Sequence, residues 1–522
     1  MQTRWALTEV IRDRLAAEHG TLRKDAALRV ALCYPSPYHV GMSSLGFQTI
    51  YREINLHEGA AAERAFLPDD DAAVAAHRDA RAPIVTYESQ RHLADHDALA
   101  FSVSYELELT GLFEMLELSG IPLHAAERDQ RHPLIIAGGP LTFSNPITLA
   151  PFVDLLVLGE AEELIHELID ALASRPPRHE LLSRLHSRPG FFAPALSGPG
   201  APLPAVAKAH DDLLPARSQI ITPHTELRSM FLIEPERGCS RGCTYCVMRR
   251  TTNGGMRTVP PEKVMALVPE HARRVGLVGA AVTDHPCIVD LVRTLCESGR
   301  EVGISSLRAD RLVARPELIR LLAKSGARSL TTAADGASER LRTALDRKTT
   351  AAQLIEVSQL ARAAGMARIK LYLMLGLPGE TEADLDELVL LAGEISRILP
   401  LSFGLAPFVA KRNTPMDGSP YAGIAVVEDR LRSLRHKLRG RAEVRPTSAR
   451  WAWVEYMLAQ GGPEAGLAAL DAWRAGSTFA AWKRAFRDRE VQPFAARRVS
   501  DGRLKLPQLA DWPQVAASRQ LS

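Results

Sequence analysis

The chain has 522 residues, 24% of them charged, and a formal net charge of +3. It is too long for one ordinary hydrophobic core, and its charge is too small to predict nucleic-acid binding. It shows neither the apolar run of roughly twenty residues that crosses a bilayer nor a signal peptide. The six cysteines form no paired framework, so we expect reduced thiols and a cytoplasmic location.

Residues 28–175 alternate between apolar runs and helical patterns. The runs "LRVALCYPSP", "DALAFSVSYEL", "HPLIIAGGP" and "VDLLVLGEAEE" predict four strands, with helical patterns such as "LGFQTIYREINLHEG" between them. This order predicts an α/β fold of the doubly wound, Rossmann-like type, in which helices cover both faces of a parallel sheet. Ligands of such sheets bind at the carboxyl ends of the strands, here near residues 38–41, 102–104 and 138–140.

A second alternating region follows a proline- and glycine-rich stretch that predicts a domain boundary near residue 200. Six apolar runs between residues 229 and 410 predict strands separated by helices, which indicates a partial (β/α)6 barrel. Residues beyond 421 lose the alternation and predict a small helical region. The expected domains are therefore 1–200, with its linker, then 225–420 and 421–522.

Three of the cysteines lie in "ERGCSRGCTYC", directly after the first predicted barrel strand, with the spacing C-x3-C-x2-C: Cys239, Cys243 and Cys246. Structural zinc takes four ligands, usually in two pairs, and no second pair exists here. A complete four-cysteine iron–sulfur site needs another cysteine, whereas Cys33, Cys287 and Cys296 are remote and are interpreted as buried apolar residues. Three cysteines suit a [4Fe–4S] cluster whose fourth iron stays open to another ligand.

With Tyr245 before its last cysteine, this motif resembles that of the radical S-adenosylmethionine (radical SAM) superfamily. The resemblance implies a [4Fe–4S] cluster on the three cysteines and S-adenosylmethionine chelating the open iron. An electron from the cluster then cleaves the sulfonium to a 5′-deoxyadenosyl radical, which abstracts a hydrogen atom from a small-molecule substrate. The cofactors carry the difficult chemistry and the protein positions them. The resemblance also implies an electron donor such as flavodoxin or ferredoxin.

Four later stretches resemble the family's cofactor contacts: "VGLVGAAVTDHP" beside the methionyl amine, "ISSLRAD" at ribose and carboxylate, "TTAADGASER" on the fourth strand, and "LYLMLGLPGET" at adenine. The first stretch lacks the family's Gly-Gly-Glu, and the third has aspartate where the family has glutamate. The resemblance implies that S-adenosylmethionine is bound by Tyr245, Gly279, Ser306, Arg308, Asp335, Gly376, Leu377 and Pro378.

No residue is assigned a catalytic role from the sequence. Glu234 and Glu236, which flank the motif, are interpreted as surface or supporting carboxylates. The pair Arg249 and Arg250 is interpreted as a solvated turn.

The N-terminal phrases "PSPYHVGMSSLGFQTIY", "FSVSYELE" and "IIAGGP" resemble a cobalamin-binding-domain branch of the same superfamily. The loop around His39 lacks that domain's Asp-x-His-x-x-Gly, so His39 is interpreted as a loop residue and not as a cobalt ligand. Two interpretations stay open: cobalamin bound without a histidine ligand, or a retained fold without the cofactor. The tentative cobalamin contacts are Gly41, Ser102, Ser104, Gly138 and Gly139.

Several reactions are compatible with this resemblance. With cobalamin, methyl transfer to an unactivated carbon is expected; without it, a radical rearrangement or oxidation. A tRNA-modifying methylthiotransferase needs more cysteines in the N-terminal domain than Cys33. An iron–sulfur or cobalamin-sensing scaffold, which is not an enzyme, would assemble the cluster without cleaving S-adenosylmethionine. No residue pattern names the substrate or the oligomeric state.

Overall fold

The computed structural model describes residues 4–197, 202–248 and 255–493. Arg249 and Arg250 therefore lie outside the described residues. The described residues divide into two compact units, one made of residues up to 232 together with 461–491, the other of residues 233–460. Within the described ranges, every helix is too short or too polar to span a lipid bilayer.

The first unit contains a six-stranded sheet in the order β2-β1-β3-β4-β5-β6. Its strands are β1 (Leu28–Pro37), β2 (Ala60–Leu67), β3 (Ala98–Ser102), β4 (Leu134–Gly138), β5 (Leu155–Val157) and β6 (Phe191–Phe192). Its first helices are α1 (Arg4–Ala16), α2 (Tyr38–Gly41), α3 (Leu45–Leu56), α4 (Asp71–Asp79), α5 (Leu109–Leu118), α6 (Leu164–Ala173) and α7 (Arg178–His186). Strands β1 to β5 pair in parallel, and β6 adds antiparallel to β5.

The strand order 2-1-3-4-5 is the flavodoxin-like, doubly wound order. The strands are buried almost continuously, as expected when helices cover both faces of a parallel sheet. Helix α3 begins where the Ser44 hydroxyl accepts the amide hydrogen of Phe47. The predicted fold of this unit is confirmed, and the four predicted strands occur as β1, β3, β4 and β5.

Strand β2, with the sequence "AAAERAFL", was not predicted. Its alanines and central charges favour a helix in isolation, because alanine is the best helix former and charged residues rarely enter a buried strand. In the structure both charged side chains have partners: hydroxyl groups for Glu63 and carboxylates for Arg64. Glu63 accepts hydrogen bonds from the hydroxyls of Thr86 and Ser89, and the fully buried Arg64 lies between two carboxylates.

The proline-rich segment before residue 197 is folded rather than extended. Helix α7 buries Leu181, Leu182 and Leu185, and β6 extends the sheet. The expected linker therefore contributes to the first unit as far as residue 197.

The second unit is a partial (β/α) barrel, and its first strand begins just before the division at residue 232. Its strands are β7 (Met230–Ile233), β8 (Glu236–Arg237), β9 (Arg257–Thr258), β10 (Arg274–Leu277), β11 (Glu301–Ile304), β12 (Ser329–Asp335), β13 (Arg368–Leu375), β14 (Leu401–Pro407) and β15 (Ala442–Pro446). Its helices are α8 (Pro261–Ala266), α9 (Ile288–Glu297), α10 (Ala309–Ala314), α11 (Pro316–Lys324), α12 (Glu339–Ala344), α13 (Ala351–Ala363), α14 (Glu382–Ser396), α15 (Ile424–Lys437) and α16 (Ala449–Gln460).

The barrel strands form two sheets, β11-β10-β7 and β12-β13-β14-β15, and β8 pairs with β9 in a short antiparallel ribbon. The Thr332 hydroxyl on β12 donates to the carbonyl of Leu307, just after β11, at 2.7 Å. The six predicted strands occur as β7 and β10 to β14. Strand β15, parallel to β14, adds a seventh where only helices were predicted. Its sequence, "AEVRP", has none of the long apolar run that revealed the others.

The last two helices, α17 (Pro463–Arg474) and α18 (Phe479–Asp488), belong to the first unit. The Trp473 indole donates to the Glu114 carboxylate on α5 at 3.2 Å. Gly466 packs directly against the backbone at Thr148: a Cβ atom on Gly466 would be 1.9 Å from the carbonyl oxygen of Thr148. The C-terminal helices thus complete the core of the N-terminal unit.

We expect Gly466→Ala to destabilise the first unit by about 1–3 kcal/mol, because a methyl group there overlaps rigid backbone. Alanine normally stabilises a helix by about 0.5–1 kcal/mol relative to glycine. Gly393→Ala on α14 is the matched control, since nothing lies within 4 Å of its added Cβ. Thermal unfolding followed by circular dichroism measures both. A Gly466→Ala protein as stable as the wild type would contradict the packing of α17.

Candidate active site

The three cysteines lie on the loop that follows β8. Gly238, just before Cys239, has φ +84°, and a Cβ atom there would be 2.4 Å from the carbonyl oxygen of Gly255, so the turn requires glycine. The loop is anchored where the Thr244 amide donates to the carbonyl of Leu345, just past α12, at 3.0 Å. The cysteine loop therefore has a defined position at one edge of the barrel.

The thiols of this loop are partly or fully buried. Burial raises the pKa of Cys239 and of Cys243, and it raises the pKa of Cys246 to about 11. The guanidinium of Arg308 opposes this increase in pKa at Cys239 and Cys243, and that of Arg347 opposes it at Cys243. A metal bound here must displace the thiol protons, as metals do when they bind cysteine.

Tyr245 and Asp335 were predicted from separate motifs, and the structure brings them together. The Tyr245 hydroxyl donates to the Asp335 carboxylate, and burial, with that carboxylate, raises the pKa of the tyrosine well above its usual range. Asp335 ends β12 at φ +66°, a conformation that is strained for aspartate. The Arg347 guanidinium lies 2.6 Å from its carboxylate. Arg347, which was not predicted, thus ties the fourth barrel strand to the cysteine loop.

Gly279, at the end of β10, contacts a carboxylate that was not assigned a role from the sequence. Glu236 is fully buried, which excludes the interpretation of it as a surface carboxylate. Its Oε1 accepts the amide hydrogen of Ala281 at 2.7 Å, and a Cβ atom on Gly279 would lie 2.2 Å from that same oxygen. Glycine is required here because the carboxylate fills the space of a side chain.

The serines after β11 connect it to the end of β10. The Ser306 hydroxyl accepts the amide hydrogen of Val282 at 3.0 Å. The Ser305 hydroxyl bonds both the amide and the carbonyl of Gly279, at 3.1 and 3.2 Å. Ser306, predicted to contact ribose, therefore also fixes the neighbouring turn.

A network of guanidinium and carboxylate groups surrounds Asp284. Its carboxylate accepts from the hydroxyl of Ser240, beside Cys239, at 2.8 Å and from Arg311 at 2.7 Å. The guanidinium of the buried Arg308 lies 3.7 Å from Asp284 and 3.1 Å from Asp310. Burial alone would raise the pKa of Asp284, but Arg308 and these hydrogen bonds outweigh it and lower the pKa. The network holds Arg308 beside the cysteines.

The turn after β13 is organised by a carboxylate outside the predicted set. Glu380 accepts the amide hydrogens of Gly376 and Leu377 through one oxygen, and Arg430 lies 3.3 Å from that oxygen. Gly376 has φ +79°. Pro378 follows in the same turn. A Cβ atom on Gly376 would lie 3.0 Å from Ala422 and 3.3 Å from Val427, so the turn packs against the start of α15.

The tentative cobalamin residues lie at the carboxyl ends of β1, β3 and β4, where their small size serves the chain's own packing. A Cβ atom on Gly41 would be 2.5 Å from the Phe66 ring, and one on Gly139 would be 2.8 Å from the carbonyl of Val103. Gly138 pairs with Ser102 across the strands. The Ser104 hydroxyl is 2.7 Å from that of Tyr34.

His39 lies on α2, part-exposed and 3.8 Å from the Glu226 carboxylate. The residues at this edge therefore add no contact that points to cobalt or to a corrin. The feature of this unit that fits cobalamin is its flavodoxin-like strand order.

The donor set at the cysteine loop does fit an iron–sulfur cluster. Within the described part of the chain, no three His, Cys, Asp or Glu side chains are arranged around a single metal ion. The cysteines of a [4Fe–4S] cluster bind three different irons, so they surround a cluster instead of converging on one point. Arg308 and Arg347 supply positive charge next to the thiolates that such a cluster requires.

Comparison with protein families decides the relationship. The family described as "Radical SAM superfamily" matches residues 233–392, and "Radical SAM proteins, N-terminal" matches residues 46–194, so the two together cover more than half of the chain. The chain belongs to the radical SAM superfamily. Radical SAM proteins use a [4Fe–4S] cluster and S-adenosylmethionine, so the predicted family and these cofactors are confirmed. The individual residues that hold them stay predictions.

Two relatives of this radical SAM protein are similar to it in sequence over more than half of its length. An uncharacterised protein of Methanocaldococcus jannaschii is 24% identical over 402 residues, which is 74% of this chain and 79% of the relative. The tRNA-2-methylthio-N(6)-dimethylallyladenosine synthase of Acidithiobacillus ferrooxidans is 27% identical over 322 residues, 56% of this chain and 62% of that enzyme.

Among solved structures, the cobalamin-dependent S-adenosylmethionine radical enzyme OxsB, with aqua-cobalamin bound, has a TM-score of 0.49 and 15% identity. The match covers 72% of this chain and 53% of OxsB, so the radical SAM protein described here spans about half the length of that enzyme.

Proposed function

We propose that Cys239, Cys243 and Cys246 hold a [4Fe–4S] cluster and that the enzyme cleaves S-adenosylmethionine reductively to abstract a hydrogen atom from its substrate. The observation that carries this proposal is the largely buried three-cysteine loop, with one buried and two partly exposed cysteines, and with Arg308 and Arg347 beside it. The cluster and S-adenosylmethionine together supply a 5′-deoxyadenosyl radical when both are bound. The chain's own residues bind, orient and shield these groups.

Each predicted residue has a proposed task in that arrangement. Asp335, held by Arg347, fixes the ring of Tyr245 against the cysteine loop. Ser306 and the turn at Gly279 form the adjoining wall, and Arg308 offers a cation to the carboxylate of S-adenosylmethionine. The turn of Gly376, Leu377 and Pro378 receives adenine.

Formation of 5′-deoxyadenosine by the reduced protein tests this function. The protein is reconstituted anaerobically with iron and sulfide, reduced with dithionite, and supplied with S-adenosylmethionine. We expect about four irons per chain and 5′-deoxyadenosine in chromatography with mass detection. A cluster-loaded protein that forms none after reduction would be the non-catalytic scaffold instead.

The finer proposal is cobalamin-dependent methyl transfer to an unactivated carbon. The observation that favours it is the flavodoxin-like strand order of the first unit, whose carboxyl edge is where such sheets bind ligands. Reconstitution with hydroxocobalamin followed by desalting and metal analysis tests it. One cobalt per chain supports methyl transfer, whereas iron without cobalt supports a radical rearrangement or oxidation.

A methylthiotransferase-like reaction is favoured less. The Acidithiobacillus ferrooxidans relative is named as a synthase of a methylthio-modified adenosine. The N-terminal unit here, however, contributes only Cys33, which is fully buried, and burial raises the pKa of its thiol. We propose a small-molecule substrate, a flavodoxin or ferredoxin as electron donor, and a cytoplasmic setting in which the six thiols stay reduced.

A further inference from the structure

The four-stranded sheet of the barrel has one covered face and one open face. On β13 the residues Ile369, Leu371 and Leu373 are buried, and helices α13 and α14 pack against β13 and β14. Because the helices of a (β/α) barrel lie outside its strands, the alternate residues point into the barrel. They form the inner face: Arg368, Lys370, Tyr372 and Met374 on β13, Ser402, Gly404 and Ala406 on β14, and Glu443 and Arg445 on β15.

The inner face is polar and exposed. The interior of a closed barrel is normally filled by bulky branched side chains. Here Tyr372 is 45% exposed, and Arg368, Glu443 and Arg445 are exposed as well. Charged and aromatic side chains that line a barrel without filling it leave room for a ligand and supply the groups that bind it.

Tyr372 gives the inner face a flat surface. It is paired in register with Gly404 on β14, and a Cβ atom on Gly404 would be 2.5 Å from two carbons of the tyrosine ring. Glycine at this position therefore lets the ring lie against the neighbouring strand. An exposed ring held in this way offers a surface on which another planar group can stack.

Three basic groups share the inner face with one carboxylate. Arg445 binds Glu443 through two nitrogens, at 2.8 and 3.0 Å, so these two charges offset each other. The pKa of Glu443 is lowered mainly by Arg445, and also by the charges of Arg368 and Lys370. The Lys370 ammonium donates to the Tyr372 hydroxyl at 2.7 Å, which uses one of its three hydrogens. The inner face thus keeps the positive charge of Arg368 and Lys370.

The inner face continues through β12 to the cysteine loop. Tyr372 pairs with Ala333 on β12, and Asp335, two residues further along that strand, contacts Tyr245 of the loop. Neighbouring strands are about 5 Å apart and two strand residues span about 7 Å, so the Cα atoms of Tyr372 and Asp335 lie within roughly 9 Å of each other. A ligand on Tyr372 is therefore close to the proposed cluster.

We propose that the substrate is an anion with a planar group: Arg368 and Lys370 bind its carboxylate or phosphate, and Tyr372 supports its planar part. This assignment rests on the proposed function, which places hydrogen abstraction at the cysteine loop, and it adds the chemical class of the substrate. Guanidinium and ammonium groups bind carboxylates and phosphates through charge-assisted hydrogen bonds, which are the stronger kind. A cationic substrate would be repelled by both groups.

Three small probes test this class on the cluster-loaded protein: phenylacetate, phenyl phosphate and the neutral phenylacetamide. Their dissociation constants are measured anaerobically by ligand-detected nuclear magnetic resonance. We expect the wild type to bind at least one of the two anions roughly tenfold more tightly than the amide. A preference for phenylacetate indicates a carboxylate substrate, and a preference for phenyl phosphate indicates a phosphorylated one.

Two variants separate the roles of charge and ring. The double variant Arg368→Gln, Lys370→Gln should bind all three probes within about threefold of one another, because the counter-charge is gone. Tyr372→Leu should weaken all three probes by a similar factor, about tenfold, and keep the preference for anions. If the double variant does not fold, as judged by circular dichroism, Lys370→Gln alone should lose about threefold of the preference.

The matched control is the double variant Arg320→Gln, Lys324→Gln. It removes the same two kinds of cation from exposed positions on helix α11, outside the barrel. It should keep the full preference for anions. Reduction of the cluster gives a further measurement, since a reduced, paramagnetic cluster should broaden the signals of a bound anion that lies near it.

Four results would overturn the assignment. Equal binding of the three probes by the wild type, no binding of any of them, or a preference that the double variant at Arg368 and Lys370 retains refutes the substrate class, while the formation of 5′-deoxyadenosine keeps the proposed function. A bound anion that the reduced cluster does not broaden lies too far from the cysteine loop to be the substrate. A cluster-loaded protein that forms no 5′-deoxyadenosine refutes the proposed function itself, whatever the probes show.

Discussion

Replacing Cys243 with alanine is expected to remove nearly all iron from the reconstituted protein and to lower 5′-deoxyadenosine formation by at least about a thousandfold. Cys243 is a buried residue, whereas Cys239 and Cys246 are partly exposed, and the Sγ of Cys243 lies near the carbonyl of Asp346, beside Arg347. With it gone, two thiolates remain for a cluster that takes three, and no other cysteine lies nearby in sequence. Iron and sulfide analysis with the visible spectrum measures the loss.

Cys296→Ala is the control for this variant. Cys296 lies on α9, with its Sγ 3.7 Å from the carbonyl of Leu321, away from the cysteine loop. It should keep about four irons per chain and full activity. If Cys243→Ala keeps its iron as well, the three-cysteine cluster is refuted; if only Cys296→Ala loses iron, the ligands have been misassigned.

Replacing Arg64 with methionine is expected to destabilise the N-terminal unit by about 3–5 kcal/mol at pH 7.5, because two buried carboxylates lose their counter-charge. The guanidinium of Arg64 lies 2.8 Å from Glu18 and 2.6 Å from Glu88, and its side chain is completely buried. For a unit of this size the change lowers the unfolding temperature by about 10 °C. Thermal unfolding by circular dichroism measures it.

The pH dependence of that loss gives a sharper test. In the wild type, burial acts to raise the pKa of Glu18 but Arg64 outweighs it and lowers the pKa, so this pair stabilises the fold at neutral pH and less as pH falls. Without Arg64, Glu18 and Glu88 can relieve their burial by protonation. The deficit should therefore shrink towards pH 5. A deficit that does not depend on pH would indicate lost packing instead.

Arg78→Ala provides the exposed comparison. Its guanidinium lies 2.8 Å from Glu114 and 3.2 Å from Glu117, and it is half exposed. Exposed ion pairs contribute about 0–1 kcal/mol, so this variant should unfold within a few degrees of the wild type.

The main architecture was predictable because its signals are local. Long apolar runs such as "IKLYLMLGL" and "HPLIIAGGP" report burial directly, and the cysteine spacing reports its chemistry. Strand β2 was not predictable, because Arg64 becomes an acceptable strand residue only through Glu18 and Glu88, which lie elsewhere in the chain. Strand β15 is short and polar, and it is a strand because β14 offers it an edge.

The candidate site divides in the same way. The cysteines, Tyr245 and Asp335 were predicted from motifs, whereas Arg347, which holds the carboxylate that Tyr245 contacts, was not predicted. Glu236 has an ordinary sequence context, and only the structure shows its contacts with the Ala281 amide and Gly279. Spacing reveals residues that act together on one loop, whereas packing is needed to reveal a partner from another strand.

Helices α17 and α18 are synthesised after the barrel, although they belong to the first unit, so the position of these helices in the chain affects the order in which the two units can fold. They complete the unit that begins at the N-terminus, yet more than two hundred residues separate them from the rest of it. On the ribosome the first unit stays incomplete, with Phe113 and the backbone around Thr148 uncovered, until residues 463–488 have emerged. The barrel, in contrast, has all its described strands once residue 446 has emerged. The nascent protein should therefore finish its second unit before its first.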